Sequence, residues 1–284
     1  MLRFEERLPE NRFLRGAYLL TQRYLRHNVG MQSAALAFYL LFMIFPFLLF
    51  ISALLGRLHL DLGALLLGLG EILPQEVVDI AERYLIYVRQ NSSMKLLVLG
   101  LVFSFYFPMR ATNSLMRSVR IAYHLGPPRG QLRHVLKTLL YTVALILTIV
   151  LTLLLMTVGE RILDYAVMHF HLPLLAAQLW AALRFPMAAL VACCALFFLY
   201  ALSQDGRQPW RNIWPGTLSS MVSWMLLSLL YSLYVERYAN YSLLYGSIGT
   251  VIVLLIWLYM SSMTLIMGAE LNGTLISLRK DQWD

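Results

Sequence analysis

The sequence predicts an all-α, polytopic integral membrane protein with six transmembrane helices and additional interfacial amphipathic helices. Composition, span length and charge placement carry that expectation. Sixty per cent of the 284 residues are hydrophobic and only 13% are charged, whereas a soluble domain carries about 25% charged residues. Mean hydropathy is +0.66. Apolar stretches of about 20 residues, the length that crosses a bilayer as a helix, recur along the chain. Lys and Arg fall unevenly between them.

The first stretch is Ala34–Leu55, with Pro46 inside it. Proline removes a backbone donor, which a membrane bundle tolerates when neighbouring helices satisfy the freed carbonyl. The second is Lys95–Leu115, and the third Leu136–Gly159. Then come Ala182–Ser203, which contains Pro186, Trp214–Val235 and Ser247–Leu271. The expected organisation is an amphipathic segment over 1–33, a membrane domain over 34–271 and a short tail over 272–284. No cleavable signal peptide is expected, because an Arg-rich stretch precedes the first apolar run and no small-residue cleavage site follows it.

Orientation follows from the basic residues. Six lie before the first span, and six more, from Arg110 to Lys137, surround the loop after the second. Arg207, Arg211, Arg279 and Lys280 fall on the same side, giving sixteen of the 23 Lys and Arg. That excess places both termini in the cytoplasm of a bacterial cell, with the protein in the inner membrane. The net charge of +8 therefore reads as attraction to an anionic inner leaflet, with membrane lipids as partners. A nucleic-acid partner is not expected, since no basic stripe runs over a polar domain.

Two further segments read as interfacial. Asn11–His27 sets Phe13, Ala17, Leu20 and Tyr24 at helical spacing among arginines, and Gln75–Gln90 interleaves Val77, Val78, Ile80 and Leu85 with acids. Cys193 and Cys194 are adjacent, and helix neighbours point about 100° apart, so they read as packing residues rather than a disulfide.

Motifs for soluble chemistry are missing. There is no H-E-x-x-H, C-x-x-C or P-loop. Gly246-Ser247-Ile248-Gly249 is one residue short of a nucleophile elbow. His169 and His171 form an H-x-H near Asp164, which a loop more often holds without metal; no metal or cofactor is expected. A nuclease would gather carboxylates for divalent cations, and Asp205 stands alone among the loops assigned to the cytoplasm.

Glu270 is the acid that falls inside an apolar run. An intramembrane carboxylate is costly unless it is paired or wetted, so it is a candidate functional residue, or else an interfacial anchor. Arg110 is its expected partner, approaching the same face from the second span, with Arg117 reaching toward lipid phosphates and Tyr259 on the Glu270 face. The alternative is that the arginines snorkel to the interface. Ser261, Thr264 and Gly268 space small residues for close helix approach. Pro46, Pro186, Gly246 and Gly249 are candidate hinge or packing positions.

Several stretches resemble the YihY/BrkB family of bacterial inner-membrane proteins. They are Ala34-Ala35-Leu36-Ala37-Phe38-Tyr39 leading to Phe45-Pro46, then Asn113, Tyr123 and Pro215-Gly216. The most specific are Tyr245-Gly246-Ser247-Ile248-Gly249, Trp257-Leu258-Tyr259 and Gly268-Ala269-Glu270-Leu271-Asn272. Phe107-Pro108-Met109-Arg110 departs from the less disrupted second span expected of the family. The resemblance implies a six-span inner-membrane protein. Some members carry a ribonuclease label, and others are linked to serum resistance or to lipid transport. The expected function is transport of a lipid or amphiphilic envelope component. The alternatives are a scaffold working through its amphipathic segments and, last, an intramembrane enzyme.

Overall fold

The computed structural model describes residues 12–58, 78–79, 82–83, 86, 94–128, 130–170, 174–206, 208–238 and 247–280. Seven α-helices run through them. These are α1 (Arg12–Arg26), α2 (Val29–Leu58), α3 (Met94–Ala122), α4 (Gln131–Phe170), α5 (Leu174–Ser203), α6 (Trp214–Tyr238) and α7 (Ser247–Lys280). A 3-10 turn, Trp210–Asn212, leads into α6.

The helices are long because nothing in their interiors offers the backbone a better partner than itself. In hydrocarbon every N–H and C=O must be satisfied within the segment. α2, α3 and α5 continue through Pro46, Pro108 and Pro186. The sharp break falls elsewhere. Asn28 adopts φ 52°, a left-handed conformation that Asn tolerates better than most residues. There the axis from Leu14–Arg26 to Val29–Ile44 turns by 61°. The helix runs on through Pro46, a candidate hinge or packing position, and the bend falls eighteen positions earlier, set by local backbone conformation.

Four helical stretches are long and apolar enough to cross a membrane: Gln131–Thr152, Pro186–Ser203, Trp210–Val235 and Val251–Arg279. The bent α1–α2 pair would make a fifth. α3, whose described part carries Arg110, Arg117 and Arg120, is not among them. Side chains are sorted as a membrane solvent requires. Leu136, Leu140, Leu147 and Leu151 of α4 are exposed, as are Leu218, Val222, Leu226 and Leu229 of α6. Ser220, Ser262, Asn272 and Thr274 are buried instead.

α2 packs against α3 and α7, α6 against α7, and α4 against α5. The α6–α7 contact is the closest in chemical terms. A Cβ built on Gly268 would lie 1.8 Å from Ser220 Oγ and 2.5 Å from the Gly216 carbonyl. One on Gly216 would lie 2.0 Å from the Gly268 carbonyl. The small residues therefore let two backbones meet, and side-chain hydrogen bonds fasten the contact. Trp224 Nε1 donates to Ser261 Oγ at 3.1 Å, and Tyr231 donates to the Val253 carbonyl at 2.6 Å. Gly249 is buried in the first turn of α7. Gly246 and most of Gln75–Gln90, the expected outer amphipathic segment, lie outside the described residues, as does His171. Cys193 and Cys194 are both free thiols on α5.

Candidate functional site

α7 runs nine residues past the expected end of its span, and this extension builds the polar centre of the molecule. Glu270, Gly273 and Ser277 fall on one face at spacings of three and four, the helical neighbour relation. α1 lies against that face. Its Arg23 is buried, and its guanidinium gathers acceptors from two helices. Nη1 donates to the Ala122 carbonyl at 2.9 Å, and Nη2 to the Gly273 carbonyl at 3.2 Å and Ser277 Oγ at 2.7 Å. Gly273 makes room for this. A Cβ there would sit 2.2 Å from the Ala122 carbonyl and 2.7 Å from Arg23 Nη1.

Glu270 is fully buried. Its Oε1 lies 2.6 Å from His27 Nδ1, and its Oε2 lies 3.5 Å from Arg23 Nη1. The Oε2 contact is an ion pair without hydrogen-bond geometry, so that oxygen keeps an open acceptor position among the described residues. Arg23, in the last turn of α1, and His27, in the turn that follows it, are four residues apart and reach Glu270 together. His27 stands at the elbow itself, where Gln32 donates to its carbonyl and its ring meets that of His124 edge-on at 5.4 Å. His124 ends α3 with φ 52°. Burial, with the positive charge of Arg23 and the neighbouring His27, holds the His124 imidazole below its usual value. The elbow between α1 and α2, the end of α3 and the middle of α7 therefore meet around one carboxylate.

This corrects the expected Arg110–Glu270 pair. Arg110 is exposed, its Nε donating to the Tyr106 hydroxyl at 3.2 Å and its guanidinium 5.4 Å from that ring's centroid. The physical reason is helical phase: Glu270 faces α1, and Arg110 points out of the bundle one turn from Tyr106. Arg117 is also exposed. Tyr259 does join the neighbourhood, since its hydroxyl comes over Gly30 beside that of Tyr24. Pro46 is half-buried and Pro186 exposed.

Asn272 organises the adjoining junction. Its Oδ1 accepts from the Gly216 N–H at 2.6 Å, and its Nδ2 donates to the Ile213 carbonyl at 2.8 Å. One side chain thereby satisfies the Gly216 N–H, a first-turn donor of α6 that would otherwise be orphaned, and adds a further donor to an Ile213 carbonyl that also accepts from Thr217. Tyr123 and Gln204 are buried beside it, and burial pushes the Tyr123 hydroxyl up.

Sequence reasoning singled out Glu270 and missed Arg23, His27, Gly273 and Asn272 as its companions. No signal set Arg23 and His27 apart, because helical spacing puts them on the same side of the segment as Arg12, Arg15 and Arg26. Among the described residues no group of three or more His, Cys, Asp or Glu is placed to hold a metal ion.

These features define a multi-pass α-helical membrane protein whose ionic centre lies inside the bundle. Residues 20–282 match the model of the family described as virulence factor BrkB. The chain belongs to that family. It is 31% identical over 261 residues to the ribonuclease-like protein YfkH of Bacillus subtilis, covering 92% of this chain and 95% of that one. It is 26% identical to a UPF0761 membrane protein of Pseudoalteromonas translucida over 29% of this chain and 28% of the relative. A UPF0761 membrane protein of Pseudomonas paraeruginosa is 35% identical over 33% of this chain and 22% of its own length. No solved structure matches.

Proposed function

We propose that this BrkB-family protein spans a bacterial inner membrane six times, with both termini cytoplasmic, and transports a lipid or amphiphilic envelope component. α2 to α7 supply the six crossings, and the 16-to-7 split of Lys and Arg sets their direction. The observation that carries the transport reading is Glu270, fully buried and held by Arg23 of α1 and His27 of the turn after it, at a 61° elbow.

Burying a carboxylate in a bundle is expensive, and truncating one partner of such a pair costs several kcal/mol, about 3–5. An ionic tie of this kind suits a contact that must be exchanged. An anionic headgroup competes with Glu270 for Arg23 and His27, and taking them would free α1 from α7 while α2 stays packed on α3. No enzymatic step enters this reading; the ribonuclease likeness in its relative's name describes YfkH. A second reading, a scaffold acting through α1, draws on the exposed Leu14 and Leu25 of that helix.

Native mass spectrometry of protein gently extracted from its own membrane tests the proposal, with wild type beside Glu270→Gln. Transport predicts a defined lipid or glycolipid retained by the wild type and lost in the variant. Bulk lipid alone on both forms contradicts it and favours the scaffold.

A further inference from the structure

A second ionic cluster lies at the same end of the bundle, built from residues that do not touch Glu270. Arg120, in the last turn of α3, is buried. Its Nη1 donates to the Ser203 carbonyl and to Asp205 Oδ2, each at 2.9 Å. Its Nε and Nη2 donate to the Gly126 carbonyl at 3.2 and 2.6 Å. Lys137 Nζ takes the other carboxylate oxygen, Asp205 Oδ1, at 2.6 Å. Both oxygens of Asp205 are thus engaged by cations.

A shallow pocket opens over this cluster, with Met116, Pro128 and Leu202 as its apolar wall and Arg120, Arg133 and Lys137 as its charged one. Three cations face one carboxylate there, leaving two positive charges without a counterpart. Arg133 is exposed and makes no hydrogen bond or ion pair among the described residues. Directly beyond it on α4, Leu132, Leu136 and Leu140 stand 83%, 63% and 72% exposed. The pocket therefore sits where a basic end gives way to a bare apolar face, which is the profile of a membrane interface.

We infer that this pocket binds the phosphate of an anionic membrane lipid. Arg133 and Lys137 engage the headgroup, and the acyl chains lie along the exposed leucines of α4. Arg120 holds Asp205 in place, so that its carboxylate is neutralised and does not repel the phosphate. A soluble phosphate would use the cations but not the leucines, and that contrast favours the lipid. The inference needs the membrane setting of the family but not the transport reading, since it uses no residue of the Glu270 junction.

The test is a melting curve of the delipidated full-length protein in neutral detergent, titrated with phosphatidylglycerol, phosphatidylcholine or inorganic phosphate. A ligand that binds only the folded form raises the midpoint in proportion to its affinity. Phosphatidylglycerol is expected to raise the wild-type midpoint, with phosphatidylcholine and inorganic phosphate far weaker. Arg133→Gln and Lys137→Gln should each need roughly tenfold more lipid for the same rise, the size of one charge-assisted contact. Arg211→Gln, an exposed basic residue outside the pocket, should titrate as wild type, and so should Glu270→Gln. Arg133 is unbonded, so its variant is expected to fold even if Lys137→Gln does not. The inference is overturned if Arg133→Gln titrates as wild type, or if phosphatidylcholine or millimolar inorganic phosphate gives the same rise. It is equally overturned if Glu270→Gln alone abolishes the rise, which would place the lipid at the other site.

Discussion

Single residues carry this molecule's specificity, because most of its interior is interchangeable hydrocarbon. Asn272 is a direct case. Asn272→Leu keeps roughly the same volume but strands the Gly216 N–H and removes one donor from the Ile213 carbonyl, which keeps its bonds from Thr217. Each buried group left unpaired costs about 1–3 kcal/mol, so the variant should unfold at clearly lower denaturant concentration in detergent. Arg110→Ala should leave the same unfolding curve in place, because Arg110 is exposed and bonds only to Tyr106. Asp205 sets a pH dependence. Burial opposes its ionisation, but the hydrogen bonds and charges of Lys137 and Arg120 outweigh that and hold its carboxyl below the usual aspartate range. A depressed carboxylate stabilises the fold above its unfolded value, and the contribution fades as pH falls through the folded one. Wild type should therefore lose more of its melting midpoint between pH 7 and pH 3 than Asp205→Asn does. The effect should be modest, since the Asp205 side chain is one-third exposed. Glu270 was legible at this scale because an acid inside an apolar run stands out. Its partners were not, since Arg23 reads equally well as one more arginine on an interfacial helix.

Elements add what side chains alone do not show, namely which faces meet. The close approach of α6 and α7 predicts that Gly268→Ala is damaging although alanine is the better helix former. Its Cβ would fall 1.8 Å from Ser220 Oγ and 2.5 Å from a backbone oxygen that cannot step aside. Overpacking of this kind costs about 1–3 kcal/mol, and thermal unfolding in detergent should show it as a lowered midpoint. Gly216→Ala should behave alike, and the pair should be non-additive because each Cβ meets the other residue's backbone. The helices themselves were readable from apolar run length, and the small-residue spacing of Ser261, Thr264 and Gly268 announced a packing face. Their ends were not. α7 continues to Lys280 because its last turns gain buried partners in α1 and α6, which hydropathy does not register. The elbow at Asn28 was hidden for a related reason. A single left-handed residue leaves no mark on periodicity, whereas prolines draw attention and here are absorbed into continuous helices.

The described residues put leucine-rich faces outside and gather their buried ionic groups at one end of the bundle, the arrangement that a bilayer selects and water does not. The chain aligns with YfkH over 92% of its own length and 95% of that protein's. On the transport reading proposed above, the Arg23–His27–Glu270 junction is where a ligand releases α1. The most direct measurement reconstitutes the purified protein into vesicles and follows transbilayer movement of a fluorescent anionic lipid. Wild type is run beside Glu270→Gln at matched insertion and folding. The account predicts movement faster than in protein-free vesicles, reduced about tenfold or more in the variant, which corresponds to at least 1.4 kcal/mol of lost coupling. Equal rates in wild type and variant, or no movement above the protein-free background, would contradict it.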